Sequence, residues 1–357
     1  MEKIKTVSLF CGCGGMDLGI IGGFNYLNKR YSNLPFKIIK AVDNDPYCTK
    51  IYNANFETKC DVLDVKVLDS QTLEDFDLLV GGFPCQSFSI SAQNPPRLGY
   101  KDERGKLFFE MVRILSEKKP RAFIAENVKG ILSANKGLAF PMILNEFEKA
   151  GYYVKYKLLC SYDYGVPQKR ERAIIVGFRD FEDFMIFQYP QSAKTRHVLK
   201  DVIDSSANEQ EHWFFSDRAV TGMMNVRDKM NKGRVQNPEE PCNTISSHLS
   251  KVSLNSTDPV LLINNRFRRF TPREAARIQS FPESFLIDSV SETKQYKAIG
   301  NAVPPVMMWY VSREMAFVLS RECEPLNTKT KETEICDCRH QAGAKKNDME
   351  YVNESPL

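Results

Sequence analysis

The stretch Leu78-Leu79-Val80-Gly81-Gly82-Phe83-Pro84-Cys85-Gln86-Ser87-Phe88-Ser89 sets a single thiol behind a stiffened turn. Residues 76–80 form an apolar run that reads as a short buried strand. Gly81 and Gly82 let the backbone turn at its end, and Pro84 restricts the approach to Cys85. The sulfur then stands at the carboxyl edge of a sheet, where open α/β sheets bind ligands. A reduced cysteine most often packs as a small apolar side chain. Such a residue has no use for a rigid turn or for the polar Gln86-Ser87 after it, so Cys85 reads as a presented thiol.

Outward from that turn, the chain alternates strand and helix. Residues 7–10 read as a first strand, followed by Cys11-Gly12-Cys13-Gly14-Gly15 and a helical stretch at 16–26. Strand, glycine turn and helix open a nucleotide-binding βαβ unit, although the same pattern also makes plain tight turns. A second strand, 36–42, ends in Asp43-Asn44-Asp45. Asp45 precedes Pro46 and suits the N-cap of a helix at 46–55, which leaves Asp43 free to hold ribose hydroxyls. Asp61 sits where a third strand ends and suits an adenine amine, or else an exposed loop.

After Cys85, the proline-broken segment 90–106 carries four Lys/Arg against two Asp/Glu, and loops of that length are functional or disordered. Helical spacing resumes at 107–115, and a strand at 122–125 ends in Glu126-Asn127-Val128. A helix at 139–149 and two β-rich runs, 152–160 and 173–178, complete a doubly wound, mostly parallel α/β sheet. Between those runs, Gln168-Lys169-Arg170-Glu171-Arg172 offers three cations in four residues, as a solvated loop or a phosphate contact.

From about 189 the periodicity fails. Residues 191–270 hold 12 Lys+Arg and 9 Asp+Glu, a net charge of +3, among short aromatic and polar pieces. This reads as a separate small domain, 189–265. His197, His212 and His248 fall in it without metal-ligand spacing. Thr271-Pro272-Arg273-Glu274 then announces a helix with a capping box and proline in its first turn. Gly300-Asn301-Ala302-Val303-Pro304 makes a turn before a final apolar helix at 306–319, and 321–357 reads as an unpatterned tail. Cys336, Cys338 and His340 lack a nearby fourth ligand, so no metal is expected.

Composition bounds the class. At 357 residues, 42% hydrophobic and 26% charged, the chain suits about two globular domains. No apolar run approaches the ~18 residues that cross a bilayer, and the opening Met1-Glu2-Lys3-Ile4-Lys5 does not build a signal peptide. Ten cysteines are then expected as reduced thiols in a cytoplasm. A net charge of +4 permits a polyanionic partner without requiring one.

Six segments in order resemble the DNA (cytosine-5) methyltransferases of bacterial restriction-modification type. They are Phe10-Cys11-Gly12-Cys13-Gly14-Gly15, Pro84-Cys85-Gln86, Glu126-Asn127-Val128, Gln168 to Arg172, Arg269 to Pro282, and Gly300 to Pro304. The likeness covers about 1–180 and 264–320. It implies a catalytic domain at 1–188, a target-recognition domain at 189–265 and a return to the catalytic domain at 266–320.

By that resemblance, Cys85 is a nucleophile that adds to carbon 6 of cytosine and makes carbon 5 electron-rich, with Pro84 aiming it. Arg170 and Arg172 would lower its pKa, and Arg172 would reach the cytosine O2. Glu126 would hydrogen-bond or protonate ring N3, and Asn127 would orient the loop. The implied cofactor is S-adenosylmethionine, without metal. Phe10 would lie by its adenine, and Gly12, Cys13, Gly14 and Gly15 would admit its methionine part. Asp43 and Asn44 would hold the ribose, Asp61 and Val62 the adenine, and Asn301 and Val303 would close the pocket. Asp43 is shorter than the glutamate often found there. The implied partner is double-stranded DNA, since a stacked base must be flipped out to be reached. Gln86, Ser89, Arg97, Arg104, Gln168 and Thr244 are the implied DNA contacts. The enzyme is expected as a monomer acting beside a cognate restriction endonuclease. Three rivals remain open: a tRNA cytosine-5 methyltransferase on the same fold, a catalytically silent nucleic-acid-binding module, and a redox enzyme. The first lacks its Cys-Phe-Thr element here, and the last lacks a resolving cysteine close to Cys85.

Overall fold

The computed structural model describes residues 3–84, 106–224, 234–250 and 258–321. Cys85, Gln86, Ser89, Arg97 and Arg104, and the tail from 322 onward, lie outside the described residues.

The first half runs β1 (Ile4–Leu9), α1 (Gly15–Ile21), β2 (Phe24–Tyr26), β3 (Lys29–Tyr31), β4 (Phe36–Asp43), α2 (Pro46–Asn55), β5 (Cys60–Val62) and β6 (Leu78–Gly82). It continues with α3 (Lys106–Lys118), β7 (Ala122–Val128), α4 (Ala139–Lys149), β8 (Tyr153–Cys160), β9 (Gln168–Lys169) and β10 (Glu171–Phe178). The second half holds α5 (Phe181–Ile186), α6 (Asp217–Met224), β11 (Cys242–Asn243), β12 (Leu261–Ile263), β13 (Arg266–Arg268), α7 (Pro272–Ile278), α8 (Glu292–Asn301) and α9 (Pro305–Leu319).

Seven strands form one sheet in the order β5-β4-β1-β6-β7-β10-β8. The pairings from β5 through β7 are parallel, and β10 runs antiparallel to both its neighbours. Strand β6 shows why the sheet is double-faced: Leu78 and Val80 enter one apolar cluster and Leu79 the other, as a two-residue period requires. Met16 and Ile20 of α1, Ile51 and Tyr52 of α2 and Val306 and Met307 of α9 cover the first face. Phe108 and Met111 of α3 with Ile143 and Phe147 of α4 cover the second. The doubly wound, mostly parallel architecture expected from the alternation is the one observed.

Two local outcomes stand out. The Asp45 side chain accepts from the N–H groups of Tyr47 and Cys48, which caps α2 as the Asp-Pro pair predicts. The helix expected over 16–26 instead stops at Ile21. Gly22 takes a φ of 66°, a left-handed value that a β-carbon disfavours, and residues 24–31 fold back as the β2–β3 hairpin. The segment 189–265 is joined to the rest of the chain by a two-stranded sheet and by shared core packing. Strand β11 pairs in parallel with β9, and Leu199, Val202, Cys242, Ile245, Leu249 and Leu261 join the cluster on the α1 and α9 face. Among the described residues, no helix is long and apolar enough to cross a membrane.

Candidate active site

The parallel pairing of β6 with β7 sets Gly82 opposite Glu126 at the carboxyl edge of the sheet. A β-carbon at position 82 would stand 3.1 Å from Glu126 Oε2, so glycine there keeps room for the carboxyl group. Glu126 is 8% exposed, and its Oε1 lies 2.8 Å from Arg172 Nε. Burial pushes the Glu126 carboxyl up in pKa, while Arg172 and Arg170 pull it down; burial prevails. Arg172 also donates to the Glu171 carbonyl at 2.7 Å, which fixes the guanidinium plane against the carboxylate. The next residue along β7, Asn127, donates its Nδ2 to the Phe83 carbonyl at 2.9 Å and accepts from the Val128 N–H. It therefore grips the backbone one residue before Pro84, so the stretch leading to Cys85 leaves the sheet from a fixed point beside the Glu126–Arg172 pair.

Two strands away, the glycine loop follows β1. Phe10 has a φ of 54°, a strained value for an aromatic residue and one found where function imposes it. A β-carbon on Gly12 would meet nothing within 4 Å, so the loop opens onto free space there. One on Gly15 would stand 2.4 Å from the Val303 carbonyl oxygen, so the loop and the 301–303 turn close on each other behind it. Burial pushes the Cys13 thiol up to about 12, so it is a packing group. Gly14 presses on the stacked rings of Tyr52 and Phe56, whose centroids lie 4.2 Å apart.

Asp43 is not free, as its sequence position suggested. Its Oδ2 accepts from the Gly12 N–H and its Oδ1 from the Asp45 N–H, both at 2.8 Å. Each oxygen keeps a further lone pair for a hydroxyl. Asn44 and Val62 are exposed beside it, and the exposed Asp61 carboxylate lies 2.5 Å from Lys40 Nζ on β4. Asn301, exposed, ends α8, and Val303 is buried. Exposed acceptors on successive strand ends, an aromatic ring and an open glycine turn suit a nucleoside joined to an amino acid.

The Gln168 to Arg172 segment departs most from expectation. Gln168, expected as a DNA contact, is fully buried: its Oε1 accepts from the Ile245 N–H, and its Nε2 donates to Gln279 Oε1 at 2.8 Å. Arg170, 2% exposed, directs its terminal nitrogens at the carbonyls of Ile245, Gly300 and Ala302, each at 3.0 Å. It joins three chain segments and is committed to their carbonyls, whereas its neighbour Arg172 pairs with Glu126. Thr244 is exposed, with its hydroxyl on the Lys169 carbonyl. Gln279, the Ile245 backbone and the buried Asp17 escaped the sequence reading. Gln279 lies in the Arg269 to Pro282 segment, which was the available hint, and Asp17 lies in the first turn of α1.

A family model described as C-5 cytosine-specific DNA methylase matches residues 4–316. The chain belongs to this family. It is a DNA (cytosine-5) methyltransferase. It is 35% identical over 328 residues to the Type II methyltransferase M1.ScrFI of Lactococcus lactis subsp. cremoris, covering 89% of this chain and 79% of that protein. Identity with the Type II methyltransferase M.FnuDI of Fusobacterium nucleatum is 34% over 353 residues, covering 89% and 95%. Among solved structures, the Entamoeba histolytica methyltransferase EhMeth superposes with a TM-score of 0.71 at 19% identity, over 90% of this chain and all of that one. The S. pombe Dnmt2 methyltransferase gives 0.68 at 19%, over 89% and 99%. Both bear out the fold.

Proposed function

We propose that this chain transfers a methyl group from S-adenosylmethionine to carbon 5 of a cytosine flipped out of a specific duplex sequence. In this reading it is a monomer and the modification partner of a restriction endonuclease in a bacterial cytoplasm. The observation that carries the site assignment is the Glu126–Arg172 pair, 2.8 Å apart and buried, with Asn127 tethering the carbonyl ahead of Pro84.

The chemistry follows from what these groups do to a pyrimidine. The Cys85 thiolate adds to carbon 6, and carbon 5 becomes enamine-like. Negative charge flows toward N3 and O2. Glu126, biased toward its protonated form by burial, gives a proton to N3, and Arg172 bonds O2 while keeping the carboxyl group in plane. S-adenosylmethionine supplies the electrophilic methyl. Water then takes the proton from carbon 5, carbon 6 expels the Cys85 thiolate, and Glu126 recovers its proton from N3, which restores both the ring and the enzyme. On the cofactor side, Asp43 and Asn44 would hold the ribose, Asp61 and Val62 the adenine with Phe10 near it, and Gly12 to Gly15 with Asn301 and Val303 would admit the methionine part. Residues 189–265, with exposed Thr244 at their inner edge, read the sequence, and the basic segment 90–106 closes over the flipped base through Ser89, Arg97 and Arg104. Here Gln86 lies beside the nucleophile.

The test is covalent trapping. DNA bearing 5-fluorocytosine cannot lose a proton from carbon 5, so the protein and S-adenosylmethionine should leave a stable adduct at residue 85. The Cys85→Ser variant should leave none. Methylation that persists in Cys85→Ser, or an adduct on tRNA in preference to DNA, overturns the proposal.

A further inference from the structure

The glycine loop is flanked by two carboxylates; among the described residues neither forms an ion pair, and the cation whose field reaches Asp43 is Lys297, which pairs with Asp45. Asp43 meets it from the end of β4 through the Gly12 N–H. Asp17 meets it from behind, in the first turn of α1, and is 0% exposed. Ser8 Oγ donates to Asp17 Oδ1 and Tyr52 Oη to Asp17 Oδ2, each at 2.7 Å. Both donors are neutral. Among the described residues no lysine, arginine or histidine forms an ion pair with Asp17. The titratable groups facing it from the packed elements are the Tyr52 phenol of α2 and the Cys11 and Cys13 thiols of the loop; β1 contributes only the Ser8 hydroxyl. A carboxylate taken out of water with only neutral partners is costly, and burial accordingly pushes Asp17 up to about 6. The fields of Asp17 and Asp43 both reach the Cys11 and Cys13 thiols, so they overlap at the loop that borders the open space at Gly12.

Two carboxylates behind a loop that borders open space favour a cationic ligand there. The methyl donor carries a sulfonium, and the thioether left after transfer does not; ribose, adenine and the amino-acid end are common to both. We propose that Asp17 is a specificity-determining residue, the counter-charge by which this site prefers the sulfonium cofactor to its neutral product. The inference rests on the S-adenosylmethionine reading above. It gives a role to a buried acid that the methyl-transfer steps do not use. Asp43, held by two N–H groups, faces the part common to both ligands and does not discriminate between them.

Calorimetric titration of S-adenosylmethionine and S-adenosylhomocysteine into the wild-type protein and Asp17→Asn separates the possibilities. Asparagine keeps the size and the Ser8 bond. The expected result is a loss of about tenfold in affinity for the sulfonium ligand, equal to about 1.4 kcal/mol, with the thioether changed by less than about twofold. Equal losses for both ligands overturn the proposal, because a merely structural role moves them together. A second readout needs no variant. In the wild-type protein the affinity ratio should fall as pH drops through about 6, where Asp17 takes up a proton. A ratio that stays flat from about pH 8 to about pH 5 overturns it as well. If neither ligand binds the wild-type protein, the cofactor reading fails, and this inference with it.

Discussion

Asp17 and Glu274 are both fully buried carboxylates, and they are treated in opposite ways. Glu274, in the first turn of α7, receives Arg268 in a two-pronged bond at 2.7 and 2.9 Å and the N–H groups of Thr271 and Asp204 besides. Arg268 is itself 0% exposed and spends its remaining nitrogen on Asn208. Asp17 has two hydroxyls. A charge neutralised in place holds three chain segments together. One held only by neutral hydroxyls next to an open glycine turn keeps its charge uncancelled, and its field can act on a ligand there. The contrast separates architecture from function among residues of one chemical type.

The comparison breaks most readily at Arg268. Removing one partner of a buried pair leaves the other charge without compensation, at a cost of about 3–5 kcal/mol. Arg268→Ala should therefore lower the denaturant midpoint sharply at neutral pH, and a loss under about 1 kcal/mol would show that the pair does not organise this region.

Asp17→Asn should act in the reverse direction on stability. The folded-state pKa of Asp17 lies at about 6, raised from 3.8 by burial. Between those values the folded chain binds the proton more tightly than the unfolded chain, so stability falls as pH rises through that window. By neutral pH the ionised group costs about 3 kcal/mol. The variant should be more stable than the wild type near pH 8, by up to about that amount, and the two should converge toward about pH 4. Urea unfolding at both pH values checks this, and a variant that is less stable at about pH 8 contradicts it.

What could be read in advance was what the chain encodes locally. The Thr271-Pro272-Arg273-Glu274 capping box and the Asp45-Pro46 cap formed as written, because each is completed within four residues. The strands that carry Gly82, Glu126 and Asp43 were placed by apolar runs and turn residues. Overrunning α1 to residue 26 neglected Gly22-Gly23, a stop that was in plain view. The interior roles of Gln168 and Arg170 were illegible for a different reason. Their partners Ile245, Gly300 and Ala302 lie 75 to 132 residues downstream, and only the closed fold brings them near. Asp43 lost its apparent freedom to an N–H group 31 residues away. Asp17 had no local signature at all, since aspartate is rarely fully buried and its two donors come from β1 and α2.

A third acid sharpens the contrast with the smallest effect. Asp45 caps α2 and pairs with Lys297 of α8 at 2.7 Å, with the lysine side chain 47% exposed. Burial works against its ionisation, but Lys297 and the N–H groups of Tyr47 and Cys48 hold the carboxyl below the usual range. That contribution is present at neutral pH and is lost only as pH falls below the ordinary carboxylate range. Exposed pairs contribute about 0.2–1 kcal/mol, so Lys297→Met should cost less than about 1 kcal/mol, and the cap bonds to α2 should survive it. Because Asp45 donates its N–H to Asp43, which faces the ribose shared by both cofactor forms, the variant should weaken the two ligands equally if at all. Should Lys297→Met shift the sulfonium-to-thioether affinity ratio as far as Asp17→Asn does, that ratio reports any nearby change of charge, and Asp17 loses its particular role. A ratio unmoved by Lys297→Met but collapsed by Asp17→Asn assigns the preference to the buried acid behind the glycine loop.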